Sequence, residues 1–68
     1  MKNAMGDDLG PAQVQLVECY QRLVATLREH GASMAPYERS NAVKAVSALW
    51  QVMNGLDMDP GQIGDIGA

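Results

Sequence analysis

Residues 42–53 read Ala-Val-Lys-Ala-Val-Ser-Ala-Leu-Trp-Gln-Val-Met, and polar side chains interrupt this stretch only at Lys44, Ser47 and Gln51. Val43, Val46, Trp50 and Met53 recur at steps of three and four, the spacing of one helix face. Ala42, Ala45, Leu49 and Val52 recur in the same way on a second face. A surface helix needs a single apolar stripe, whereas a helix that is apolar on most of its circumference is normally buried. A chain of 68 residues has too little other material to cover both faces, so the missing cover is expected from another chain.

Chain length sharpens this constraint. A domain of this size buries only about 60% of its unfolded surface and is marginal unless something reinforces it. Disulfides, a structural metal or oligomerisation are the usual reinforcements. The sequence has one cysteine, Cys19, and one histidine, His30. An intrachain disulfide is therefore impossible, and no zinc-ligand pattern is present. Oligomerisation is the economical solution that remains.

Composition narrows the class of partner. The chain is 47% hydrophobic, with no Phe, one Trp and two Tyr, and its formal net charge is −3. A net acidic chain has no general electrostatic hold on nucleic acid or on an anionic membrane. The N-terminal residues lack the apolar core of a signal peptide. No run approaches the ~20 apolar residues of a membrane span. A lone cysteine agrees with a reducing cytoplasm, and the expected localisation is cytoplasmic.

The organisation reads as a helical hairpin. Residues 1–10 are small and polar and are expected as a flexible N-terminus. Asp8-Leu9-Gly10-Pro11 marks a helix start, because proline is tolerated in a first turn, and Asp7 and Asp8 suit the positive end of the helix dipole. The first helix is expected over about 11–30. Leu16, Tyr20, Leu23 and Leu27 form its stripe, and Val14, Val17 and Val24 widen it. Glu18 and Arg22 stand at i and i+4 in the favourable order. Arg28 and His30 suit the C-terminal dipole, and Gly31 is placed for a left-handed cap. Residues 31–35 are short enough to fold the second helix, about 36–54, back beside the first. Pro36 opens that helix, Glu38 suits its dipole and Gly55 stops it, closing a hairpin domain at 11–55.

Residues 56–68 are expected as a partly ordered tail. Asp59-Pro60-Gly61-Gln62 has a helix-start signature, but Gly61, Gly64 and Gly67 each weaken a helix by roughly 1 kcal/mol relative to Ala. One or two loose turns are expected, with Leu56, Met58, Ile63 and Ile66 as possible tail contacts. Two such hairpins would form an antiparallel four-helix bundle that covers four apolar stripes at once.

Each candidate functional residue has a simpler structural account. Trp50 is either a core residue or an interface anchor of the kind enriched among hot spots, and in a dimeric bundle the two roles merge. Ala42, Ala45 and Ala48 permit close helix approach, although alanine also has high helix propensity. Met34, Met53 and Met58 suit an adaptable surface or ordinary gap filling. Cys19 has no base beside it in sequence and reads as a buried or half-buried inert thiol. His30 reads as a dipole partner rather than a pH switch. Tyr37, Glu38 and Arg39 form a polar and aromatic turn that, with Arg28 and His30, offers a possible contact surface. Asp57, Asp59 and Asp65 do not meet calcium-loop spacing.

No catalytic residue, cofactor-binding residue, metal site, cofactor or small-molecule substrate is implied. The fold class expected is all-α, an antiparallel hairpin paired into a homodimeric four-helix bundle. The function expected is non-enzymatic binding of a second, unidentified protein, as a regulator, adaptor or inhibitor. The dimer or partner interface is assigned to Tyr20, Leu23, Leu27, Ala42, Ala45, Val46, Leu49, Trp50, Val52 and Met53. The alternatives are a dimeric DNA-binding transcriptional regulator presenting Arg22, Arg28, Arg39 or Lys44, and an accessory subunit of a larger complex. Helix 2 has only Arg39 and Lys44 as cations, which disfavours nucleic acid as a partner.

Overall fold

A computed structural model describes all 68 residues. The chain is helical throughout its regular structure, with α1 at Pro11–His30 and α2 at Pro36–Gly55. One-turn 3-10 segments at Gly31–Ser33 and Gly64–Ile66 follow the two helices. The helices pack against each other as a hairpin. No helix is long and apolar enough to cross a membrane.

Pro11 opens α1 at the first helical position behind an extended Gly10. Asp8 lies outside the helix and pairs with Lys2 at 3.2 Å. The buried stripe of α1 is Val17, Tyr20, Val24 and Leu27. This corrects the stripe expected from the leucines, since Leu16 is 38% exposed and Leu23 only half-buried. The tail packs on the Val17 and Val24 side, so the centre of burial moves toward those valines. The expected Glu18–Arg22 pair does not form; the ion pairs present are Lys2–Asp8 and Arg28–Asp65. Exposed pairs gain little over hydration, so such a contact is easily lost.

Both expected helix stops differ from what is found. Gly31 has right-handed φ −55 and carries the chain into the 3-10 turn. It is buried, and a Cβ there would meet Arg39 Nε at 3.5 Å, an ordinary contact, so neither backbone conformation nor space demands a glycine there. Gly55 stays within α2, and the left-handed residue is Asp57, φ 57. The Met58 N–H donates to the Met53 carbonyl at 2.9 Å and the Asp57 N–H to the Asn54 carbonyl at 3.1 Å. That pair of bonds is a Schellman cap. It closes α2 and turns the chain back toward the hairpin.

The tail forms no helix at the Asp59-Pro60 start signature. Asp59 Oδ1 instead accepts the Gly61 N–H at 3.0 Å, and Gly61 is left-handed at φ 71, so the backbone leaves the helical path at once. Residues 1–10, expected to be flexible, form a hydrogen-bonded loop. Asn3 Oδ1 accepts from Met5 and Asp7 N–H, and Asn3 Nδ2 donates to the Leu56 carbonyl at 3.0 Å.

Eight hydrophobic residues form the buried core: Val17, Tyr20, Val24, Leu27, Val46, Met53, Ile63 and Ile66. Two of them belong to the tail, so the core is a three-part contact of α1, α2 and tail.

Candidate functional site

The hairpin has two unlike faces. On one, the tail lies across both helices. Tyr20 Oη donates to the Pro60 carbonyl at 2.7 Å. Arg28 Nε and Nη2 donate to the two carboxylate oxygens of Asp65 at 2.9 and 3.2 Å, and Nη2 also reaches the Gln62 carbonyl at 2.8 Å. Arg39 Nη2 donates to the Ile66 carbonyl at 3.2 Å. Gly67, at φ 85, lets its backbone pass the same guanidinium, where a Cβ would lie 3.6 Å from Arg39 Nη2. Burial pushes the Tyr20 phenol pKa up, the Arg28 charge draws it partly back, and Asp59 raises it. The Arg28 hydrogen bonds hold the Asp65 carboxyl below its ordinary range, and the same contact raises Arg28.

The opposite face follows from helix geometry. At about 100° of rotation per residue, Leu16, Cys19 and Leu23 lie on the side of α1 turned away from Arg28 and Gln21. The same rotation puts Ala42, Ala45, Leu49 and Val52 on the side of α2 turned away from Ser47 and Gln51, which border the tail. Leu23, Ala42 and Leu49 are half-buried. Ala45 is exposed, and Leu16 and Val52 are 38% and 36% exposed. None of these seven side chains is charged. Cys19 is exposed, which corrects the expectation of a buried thiol; it lies about 100° around α1 from Tyr20.

The residues expected at an interface thus divide. Tyr20, Leu27, Val46 and Met53 are buried within the single chain and hold its own core. Trp50 is half-buried and borders the tail with Ile63 and Gly64. Leu23, Ala42, Ala45, Leu49 and Val52 remain on the uncovered face. Of the tail contacts, Ile63 and Ile66 are buried, and Leu56 and Met58 are half-buried. Met53 and Met58 adjoin through the Schellman cap, but Met34 lies beyond the other end of α2, about 25 Å of helix away.

Arg28 and Arg39, two of the four cations considered for nucleic acid, are engaged with the tail. Their role is absent from the local sequence pattern, because Arg28 meets Asp65 across 37 positions and Arg39 meets Ile66 across 27. The acidic residue at 65 and the paired isoleucines around it are the only sequence signs of the contact. The chain was compared with protein-family models, curated proteins and solved structures, and nothing matches.

Proposed function

We propose that the protein is a small non-enzymatic protein-binding regulator, adaptor or inhibitor that works as a homodimer. Two hairpins would meet through the uncovered face and complete an antiparallel four-helix bundle. The observation that carries this reading is the uncharged apolar face formed by Leu16, Cys19, Leu23, Ala42, Ala45, Leu49 and Val52. A copy carrying net charge −3 meets a second copy most easily where neither surface is charged.

The area agrees with this. The helices are about 30 Å long and the hairpin's second dimension is 20 Å. One face therefore offers about 600 Å², and two offer about 1,200 Å², the lower bound of a specific interface. A folded chain of 7.3 kDa typically exposes about 4,200 Å², and this one exposes 4538 Å². A free, exposed Cys19 is at home in a reducing cytoplasm, and we place the protein there.

Light scattering over a dilution series tests the proposal. Twice the chain mass is expected down to micromolar concentration. A folded monomer at that concentration would sink the dimer.

A further inference from the structure

We propose that the groove under the tail is a peptide-binding site and that the tail is its resident intramolecular ligand. The partner it fits is a protein segment with a single 3-10 turn that carries two branched aliphatic residues three positions apart and a carboxylate just before the second. The tail itself displays this pattern as Ile63-Gly64-Asp65-Ile66. The proposal rests on reading the chain as a protein-binding module, and it is independent of the dimer because the groove and the uncovered face lie on opposite sides.

The direction of the hydrogen bonds separates receptor from ligand. For residues 59–68, Tyr20, Arg28 and Arg39 on the helices supply all the side-chain donors that reach the tail from the hairpin. The tail supplies only acceptors: the carbonyls of Pro60, Gln62 and Ile66, and the Asp65 carboxylate. Main-chain carbonyls carry no side-chain identity, so those donors would hold any segment that follows the tail's backbone path, its 3-10 turn included. Selectivity falls to the sites of Ile63 and Ile66, which are 9% and 3% exposed, and to Arg28 beside the carboxylate.

The tail is also built to let go. The only backbone hydrogen bonds within its last turn run from Ile66 to Ile63 and from Gly67 to Gly64. Beyond Met58, no backbone–backbone hydrogen bond joins the tail to either helix. The Arg28 and Asp65 side chains are 48% and 56% exposed, so water screens their attraction. Gly61, Gly64 and Gly67 add backbone freedom to the released state. Two aliphatic anchors, one charged contact and three side-chain hydrogen bonds to carbonyls are a hold that a competing segment with the same groups can match.

Trp50, the only tryptophan, borders Ile63 and Gly64 and reports occupancy. The experiment uses the full chain carrying I63A and I66A, to which a synthetic peptide of residues 59–68 with the natural sequence is added. The released tail should shift Trp50 emission to the red while helical circular dichroism is retained. The natural peptide should reverse the shift saturably, and a peptide carrying D65K should bind at least tenfold more weakly. Adding R28A to the full chain should abolish the difference between the two peptides. The proposal is overturned if titration is not saturable, if both peptides bind the first variant equally, or if that variant loses its helices and the natural peptide does not restore them.

Discussion

The two faces of the hairpin solve the same burial problem in different ways. On the tail face, the chain covers α1 and α2 with its own Ile63 and Ile66 and fixes them through Tyr20, Arg28 and Arg39. On the other face, Leu16, Cys19, Leu23, Ala45, Leu49 and Val52 present apolar surface with no donor, acceptor or charge directed at a covering segment. A face built for its own tail carries polar side chains that register the backbone above it. A face built for a second packed helix pair needs shape, and small residues such as Ala42 and Ala45 allow close approach. The difference teaches that cover from within the chain leaves a polar signature, and that the uncharged face lacks one.

The largest effect should come from the seam that both faces share. Met53 is 1% exposed and stands where α2 meets both α1 and the Schellman cap. Met53→Ala removes packing from the core and from the turn that launches the tail. A loss of about 2–5 kcal/mol in urea unfolding is expected. A loss below about 0.5 kcal/mol, the size of an ordinary surface change, would show that the seam does not organise the two faces.

A smaller and more selective effect should come from the uncovered face. Ala45→Glu places a carboxylate where two copies would meet, while Ala45 is exposed in the single chain. Burying an unpaired charge disfavours assembly. We expect the dimer dissociation constant to rise about a hundredfold, roughly 2.8 kcal/mol, with helicity and Trp50 emission unchanged. Reaction of Cys19 with a thiol reagent should accelerate at the same time, because the interface would no longer cover it. An unchanged dimer mass with unchanged thiol reactivity would move the interface elsewhere.

What could be read from the sequence tracks the range of each interaction. Helix starts at Pro11 and Pro36 and the two apolar faces of α2 depend on residues within a few positions, and periodicity finds them. The exact stripe of α1 depends on where the tail lies, so Leu16 and Val17 exchanged roles. The stop of α2 was expected at Gly55 on propensity alone, yet Asp57 takes the left-handed position because the cap brings Met58 onto Met53. The tail was expected as a loose arm because its glycines argue against a helix. They do not argue against an irregular segment with one 3-10 turn held by side chains some 30 positions earlier. A surplus of apolar positions on α2 marks the uncharged face in the sequence, and its extension onto α1 through Leu16, Cys19 and Leu23 depends on which side of α1 the tail covers.

pH separates the faces most gently. Asp65 is held below its ordinary pKa by Arg28, so its contribution to tail docking is present above the unfolded value, near 3.9. That contribution is lost as pH falls through the lower folded value. Tyr20 has the opposite sense: burial raises its pKa, and its bond to the Pro60 carbonyl needs the protonated phenol. Its contribution is complete below about pH 10 and is lost as pH rises through the higher folded value. Arg28, which faces the tail from α1, is raised by its contact with Asp65 and keeps its charge across this whole range. Trp50 emission should therefore be flat through neutral pH and change in acid below about pH 4 and in alkali above about pH 10. Asp65→Asn should remove the acid change and leave the alkaline one. None of the seven side chains of the uncovered face is a carboxylate, so the assembled mass should hold in the acid range where Trp50 emission changes. A mass that follows Trp50 emission in acid would mean that the tail, rather than the opposite face, joins the two copies, and the contrast between the faces would collapse into a single exchanged contact.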